Sequence, residues 1–576
     1  MDRPDGASWI VLGKEDAGTV AVILGPDGTE RERMTLRAAE LPGWVGAVES
    51  HSPVRWVWND TPRWYADLLS AGVRVGRCHD LRLCHAILRD SALVAGDAAV
   101  RRPSGWDVDP FLAETASAPT LFDLGGTETT AGPPADIDEC VSEFARQRAA
   151  VEESPAAGRL RLLTAAESAG ALIAVELRTA GLPWDAAAHD AILIDVLGER
   201  PATGGPPAKL EDAARRVREA LGDAGASLDS QPKLLRSLHR AGVLAESTSR
   251  WELARYRHPV VEPLLEYKKL SRLLSANGWS WLDEWVHDGR FRPVYVPGGV
   301  VTGRWASSGG GALQIPRQLR AAVRADPGWR LVIADVAQLE PRVLAAMSRD
   351  TALADAARGR DLYAGIVDTG AVAERAEAKV AMLGAMYGAT TGESGRLVPR
   401  LRRTFPRAMR LVDEAARTGE NGGVVTTWLG RSSPAPSATW HDAQSQASDV
   451  AASDADEMRA RRWARDRGRF TRNFIVQGTA AEWALAWMGD LRGRLAAMPG
   501  VVASTGAPRS GVVFARAPHL AFFLHDEVMV HVPAGHAEAV AEAVREAAAA
   551  AGRLLFGDFP IDFPLELRVV QTADKG

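Results

Sequence analysis

Apolar positions in the first 150 residues fall into short β-like stretches, Trp9 to Leu12, Val20 to Leu24 and Val54 to Trp58, interspersed with helical spacing. From about 157 to 290 the spacing becomes three and four, as in ARRVREAL and EYKKLSRLLSANG, with Gly204-Gly205-Pro206-Pro207 as a break. After 291, strand-like runs (Arg330 to Asp335, Leu520 to Leu524, Val528 to Val532) alternate with long alanine-rich helices. The pattern predicts a multi-domain α/β (α+β) protein: a mixed domain over 1–155, a helical one over 156–290 and a second mixed domain over 291–576. The polar Gly, Pro and Thr-rich segment 117–135 reads as a linker or long surface loop. The low-complexity stretch 432–456 reads as a flexible loop. No internal repeat is evident.

A length of 576 residues, 46% apolar and 24% charged, supports a large buried core and excludes a mostly disordered or collagen-like chain. Three cysteines, Cys78, Cys84 and Cys140, form no CxxC pair, so a reducing compartment is expected. No apolar run reaches the length of a membrane span, and the Met1-Asp2-Arg3-Pro4 start lacks a signal-peptide core. The cytoplasm is the expected location. A net charge of −5 argues weakly against a polyanionic partner, but the charge is segregated. Residues 396–410 carry six arginines and no acid, and 459–472 carry seven against the single Asp466. Such arginine tracks suit a nucleic-acid backbone, or are solvated helix faces.

Candidate chemistry lies in three runs. WRLVIADVAQLEPR (329–342) is an apolar strand ending in Asp335 and continuing through Gln338, Glu340 and Arg342. A carboxylate at a buried strand end needs a partner. HLAFFLHDEVMVHV (519–532) sets His525-Asp526-Glu527 at the turn of a predicted hairpin. Acids on neighbouring strands could hold two Mg²⁺ by hard oxygen ligation for phosphoryl transfer. In ERAEAKVAMLGAMYG (374–388), Arg375, Lys379, Leu383 and Tyr387 recur every four residues. They share one helix face about 18 Å long, enough for a nucleotide.

Together and in this order the runs resemble family A DNA polymerases, the bacterial DNA polymerase I group. DVAQLEPR resembles motif A, RAEAKVAMLGAMYG motif B on the fingers helix, and LHDEV motif C. Thr302-Gly303-Arg304, Leu313-Gln314-Ile315-Pro316, Arg469, Asn473 and Gln477-Gly478-Thr479-Ala480 agree. SLDSQPKLLRSLHRAGV and EYKKLSRLL resemble the thumb, and WVWNDTPRWYADLLSAGVRVGRCHDLRL an RNase H-like proofreading exonuclease. The resemblance implies a right-hand polymerase: an exonuclease-like domain, a helical thumb, and a palm with fingers at about 350–430.

By the same resemblance, Asp335 and Asp526 ligate two Mg²⁺ ions, with Mn²⁺ as a substitute, and Glu527 is an auxiliary carboxylate. Arg375 and Lys379 bind the triphosphate, Lys379 protonates the leaving pyrophosphate, and Gln338, Glu340, Tyr363, Leu383 and Tyr387 complete the dNTP pocket. Glu340 crowds the ribose 2′ position. Arg304 and His525 lie by the primer end, Arg469, Asn473 and Gln477 touch template or duplex, and Thr302 contacts DNA. The implied partners are primer-template DNA and dNTPs, bound by a monomer in a repair or gap-filling setting. Some positions depart from the family pattern. Leu383 replaces an aromatic residue, Val336-Ala337 a Tyr-Ser, and Tyr363 a histidine, and Pro341 follows Glu340. Sugar selection is therefore open. Two rival readings also stay open, a relic that grips primer-template without turnover and a single-subunit RNA polymerase. Glu340 and the Gln477-Gly478-Thr479 run favour DNA over the latter.

The N-terminal domain keeps no intact DxE, Asn-x₃-Asp or Tyr-x₃-Asp set. Glu15 and Asp16 are adjacent, and Arg63 stands four residues after Asn59. A degenerate exonuclease-like scaffold is expected, with no flap-cleaving nuclease upstream. Cys78-His79 and Cys84-His85 match no common zinc spacing. Trp428, Trp463 and Trp483 read as core or arginine-stacking residues.

Overall fold

The computed structural model describes residues 8–16, 18–51, 54–109, 132–202, 204–311, 315–388, 392–449 and 452–574. Most of the 117–135 segment, the first four residues, and Leu313 and Gln314 lie outside the described residues. The chain divides into two compact units, one of Met1–Gly181, Val294–Gly309 and Gly328–Val570, the other of Leu182–Pro293, Gly310–Pro327 and Gln571–Gly576.

The first unit opens with a five-stranded sheet in the order Glu30–Leu36, Gly18–Leu24, Trp9–Glu15, Arg55–Trp58, Cys78–Asp80. The first three strands are antiparallel, and the last two join in parallel through the Thr61–Ser70 helix. The central strands are buried on both faces. Ile10, Leu12, Trp56 and Trp58 pack with Tyr65, Leu172 and Val175 on one side, and Val11, Val22 and Val57 with Ile137 and Phe144 on the other. Helices on both sides account for the near-continuous apolar runs. Asp16 is not part of a strand: the Trp9–Glu15 strand ends before it, and Asp16 turns with φ 46°.

The Ala157–Ala180 helix belongs to this first compact unit, and the second compact unit starts at Leu182. The reason is burial. Leu172 and Val175 pack on the five-stranded sheet, and Glu176 accepts from Arg492 of the Asp454–Ala496 helix.

A second sheet, fully antiparallel, runs His519–Leu524, Glu527–Pro533, Trp329–Val336, Leu565–Val570. Against it lie the alanine-rich Ala537–Phe556 helix and the 43-residue Asp454–Ala496 helix, whose Trp487 indole donates to the Val544 carbonyl at 3.1 Å. That long helix begins with a Ser453/Asp456 capping box. The 432–456 stretch is therefore not simply a flexible loop. It holds the Ala438–Ala447 helix, capped by Ser437, and the start of the long helix, so its serines are N-caps. Trp483 is fully buried and Arg159 stacks over Trp428 at 4.9 Å, as read from the sequence.

The second unit is mainly helical, with Ala186–Leu197, Ala208–Leu221, Gln231–Arg240 and Val261–Asn277 as its longer helices. A small sheet of Leu182–Pro183, Arg290–Phe291 and Val286–His287 is added to the expected helices. Its core is aromatic: Trp184, His189, Trp281 and Phe291 pack ring to ring. No described helix is long and apolar enough to cross a membrane.

Candidate active site

The Trp329–Val336 strand is central in its sheet, and its apolar run explains why: Leu331, Val332, Ile333 and Ala334 are all buried. Asp335 arrives at the strand end with Glu527 opposite on one side and Glu566 on the other. The neighbouring hairpin turns in two residues, His525 and Asp526, since Leu524 already pairs with Glu527. His525 takes the left-handed φ of 57° that such a tight turn requires. Glu527 is consequently a buried strand residue and not part of the turn. The Val336 N–H donates to the Asp526 carbonyl at 3.0 Å, which sets Asp335 and Asp526 on one rim of the sheet.

Beyond Asp335 the chain reverses at Gln338, φ 50°, into the Leu339–Ser348 helix. Glu340 in its first turn accepts from Arg304 and, at 2.6 Å, from the Tyr387 hydroxyl. Gln338 does not point into open space. Its amide donates to Asp361 at 3.1 Å and its carbonyl accepts from the Leu362 N–H at 3.3 Å.

The Arg375–Tyr387 helix buries Ala378, Ala381, Met382, Ala385 and Met386 and leaves Arg375, Lys379 and Tyr387 exposed with Leu383 half-buried. The step of four thus gives one open face. Both ends of the helix are tied to residues that follow Asp335. Tyr387 bonds Glu340, and Arg375 pairs at 2.7 Å with Asp361, the acceptor of the Gln338 amide. Tyr363 is buried beneath Arg375, 5.6 Å from ring centre to guanidinium, and burial pushes its phenol up to about 12. Lys379 makes no ion pair among the described residues.

The Asp454–Ala496 helix crosses this region with Arg469, Asn473 and Gln477 spaced by four. Gln477 lies beside the Tyr387 hydroxyl, Arg469 pairs with Asp466 at 2.5 Å, and the Asn473 side-chain oxygen is buried without a partner among the described residues. Arg472 donates to the Ala385 carbonyl at 2.9 Å and so holds the C-terminal turn of the exposed-face helix. Gly478 is required by packing: a Cβ there would lie 2.3 Å from Thr427 Cγ2 and 3.1 Å from the Thr302 carbonyl. Thr302 is buried with its hydroxyl unpartnered, next to the turn that presents Arg304. The structure therefore brings together Arg304, Glu340, Tyr387 and Gln477 beside the Asp335–Asp526 rim.

Burial raises the Asp526 carboxyl above the ordinary aspartate range and lowers the His525 imidazole, with Arg304 adding to the latter. A buried carboxyl of raised affinity for protons is also one that gains from a cation. Among the described residues no group of three or more His, Cys, Asp or Glu is gathered to hold an ion. Two aspartates fit Mg²⁺ that completes its shell with substrate phosphate and water, because Mg²⁺ is commonly held by one or two carboxylates plus phosphates.

Sequence reasoning missed three residues here. Asp361, which caps the Leu362–Asp368 helix, carried a signal as an Asp preceding an apolar helix. Glu566 and Arg472 carried none, since cross-strand register and interhelical reach are tertiary. The arginine-rich runs are helical and much of their charge is paired, Arg402 and Arg472 with Asp413, Arg459 with Asp456 and Arg461 with Glu457.

Residues 228–571, more than half of the chain, match the family described as DNA polymerase family A. The chain is 28% identical over 352 residues to the thermostable DNA polymerase I of Thermus filiformis, covering 55% of this chain and 36% of that protein. It is 33% identical over 202 residues to DNA polymerase I of Chloroflexus aurantiacus, 30% of this chain and 21% of that one. It thus spans about a third of the length of the first of these relatives. The fold matches the POL domain of Pol1 from M. smegmatis, solved with DNA primer-template and dNTP, with a TM-score of 0.65 and 17% identity over 98% of this chain and 95% of that one. The expected right-hand polymerase fold is what the structure has, and the chain belongs to DNA polymerase family A.

Proposed function

We propose that this chain adds deoxynucleotides to the 3′ end of a primer annealed to a DNA template. The observation that carries the reading is the double tether of the Arg375–Tyr387 helix, through Glu340 and Asp361, to the strand whose Asp335 lies on the same rim as Asp526. Arg375 and Lys379 take the triphosphate on their exposed face, and Lys379 Nζ holds the proton that the leaving pyrophosphate accepts. Glu340, fixed by Tyr387 and Arg304, crowds the ribose 2′ position. Arg304 and His525 seat the primer end, Gln477, Asn473 and Arg469 meet template or duplex, and Thr302 contacts DNA. Two Mg²⁺ or Mn²⁺ ions held by Asp335 and Asp526, with Glu527 as auxiliary, would neutralise phosphate charge and activate the 3′ hydroxyl. The chain's own contribution is positioning and charge.

In this reading residues 1–155 form an exonuclease-like domain that has lost proofreading, 156–290 the thumb, and 291–576 palm and fingers, in a monomer that works in repair or gap filling. Support for lost proofreading comes from Gly13, where a Cβ would meet the Ile137 Cα at 2.5 Å, and from Asp60, which is paired with Arg82 and Arg63. A second reading, primer-template binding without turnover, is favoured by Leu383 and Tyr363. Extension of a labelled primer with Mg²⁺ or Mn²⁺, using dATP against ATP and matched against mismatched ends, decides. Extension by dNTPs without removal of mismatched ends is expected. Binding without extension would leave the second reading, and preferred use of ATP would point to RNA synthesis.

A further inference from the structure

Where the Trp9–Glu15, Arg55–Trp58 and Cys78–Asp80 strands begin or run, a cavity of about 330 Å³ opens between the sheet and the Ile137–Glu152 and Ala157–Ala180 helices. It is separate from the rim described above and is lined by other residues. Three guanidinium groups face it, Arg55, Arg148 and Arg161, against one carboxylate, Glu152. Arg148 is already engaged, bonding Glu152 at 3.2 Å and lying 4.5 Å over the Trp9 ring. Arg55 is half-buried and, among the described residues, its side chain donates to a neutral acceptor, the Cys78 carbonyl at 3.2 Å. Neither Arg55 nor Arg161 has a carboxylate partner among the described residues.

Elsewhere in this region the buried Arg82 is matched by Asp60 and the half-buried Arg74 by Glu176, whereas the half-buried Arg101 is satisfied by four backbone carbonyls and Arg55 by one. A cation withdrawn from water without a counter-charge is unfavourable, and burial together with the nearby Arg77 already lowers the affinity of Arg55 for its proton. His79 does not supply a further charge, because burial drives its imidazole down to about 4. The rest of the wall is aromatic: Phe144 meets both Trp9 and His79 edge to face. Its volume is at the lower end of small-molecule sites.

The geometry points to a nucleotide-binding site between the N-terminal five-stranded sheet and the Ala157–Ala180 helix, with Arg55 and Arg161 receiving a phosphate and the Trp9–Phe144 wall receiving the flat base. Forked guanidinium donors match phosphate oxygens, and an arginine-backed aromatic wall accepts any base. The phosphate could belong to a free nucleotide or to the end of a DNA strand, and the inference does not depend on polymerase turnover.

The test is equilibrium binding of dAMP and of a 5′-phosphorylated tetranucleotide to the full chain in EDTA, with Arg55→Gln, Arg161→Glu and Lys379→Ala variants and with inorganic phosphate as competitor. Saturable binding weakened at least tenfold by Arg55→Gln and Arg161→Glu, but not by Lys379→Ala, is expected. Tighter binding of the tetranucleotide with the same sensitivities supports the site and assigns it to strand ends. Tighter dAMP binding assigns it to free nucleotide. Arg161 is exposed, so Arg161→Glu should fold and extend primers normally even if Arg55→Gln does not fold. Absence of saturable binding of both probes, binding indifferent to Arg161→Glu, or equal affinity for inorganic phosphate would overturn the proposal.

Discussion

Glu176 holds the N-terminal sheet to the long helix that carries Gln477, and replacing it with glutamine should destabilise the protein by about 3 kcal/mol at pH 7. The carboxylate is buried and accepts from Tyr65 at 2.7 Å, from Arg74 at 2.9 and 3.0 Å, and from Arg492 at 2.7 and 3.0 Å. Arg492 also donates to the Val75 and Gly76 carbonyls. Burial alone would raise the Glu176 carboxyl, but Arg492 and Arg74 more than offset it and hold it at about 2, against an ordinary 4.5. At about 1.4 kcal/mol per pH unit, that difference is worth about 3 kcal/mol. Breaking a buried pair by removing one partner typically costs about 3–5 kcal/mol, since Glu176→Gln leaves two guanidiniums facing each other. Because the folded-state affinity for protons is depressed, the stabilisation is complete above pH 4.5 and is lost as pH falls towards 2. At pH 4 the expected gap is about 2.5 kcal/mol. Urea unfolding of wild type and Glu176→Gln at pH 7 and pH 4 measures both numbers. A variant within 1 kcal/mol of wild type at pH 7, or a gap that widens on acidification, would refute the charge argument.

Gly478→Ala should cost about 1–3 kcal/mol by overpacking against Thr427 and the Thr302 carbonyl, read as a lower urea midpoint; an unchanged midpoint would mean the contact yields freely. Glu482 is buried, accepts from Thr427 and the Leu429 N–H, and burial pushes its carboxyl up to about 7. Its contribution is fully present below about pH 4.5 and lost as pH rises through 7. Wild type should therefore lose up to about 3 kcal/mol more than Glu482→Gln between pH 5 and pH 8 in urea titrations. Glu340→Ala should raise the kcat/KM ratio of ATP to dATP by tenfold or more, about 1.4 kcal/mol of lost discrimination, in single-nucleotide extension; an unchanged ratio would move sugar selection elsewhere.

Much of this molecule can be read from local pattern, and the failures share a cause. The Arg330 to Asp335 run and the Leu520–Val532 hairpin carry apolar periodicity strong enough to locate the sheet and its turn. The step of four in Arg375, Lys379, Leu383 and Tyr387 gave the exposed face correctly, because the intervening alanines and methionines are the buried side. What pattern could not give was who meets whom. Gln338 and Arg375 both end on Asp361, a contact made through the fold and invisible to spacing. The 432–456 stretch looked structureless because small polar residues dominate it, although Ser437 and Ser453 are helix caps. The Ala157–Ala180 helix has helical spacing like the segment after it, but its partners lie in the five-stranded sheet and the long helix.

The most direct test of the account is primer extension by Asp526→Ala, with primer-template binding and urea stability measured on the same preparation. Asp526 sits in a two-residue turn at the sheet rim, so its truncation should leave the fold and DNA affinity within about threefold of wild type. Extension should fall by 10³-fold or more, about 4 kcal/mol of transition-state stabilisation. A folded variant that extends primers at the wild-type rate would contradict the assignment of Asp335 and Asp526 as the paired acids of the reaction.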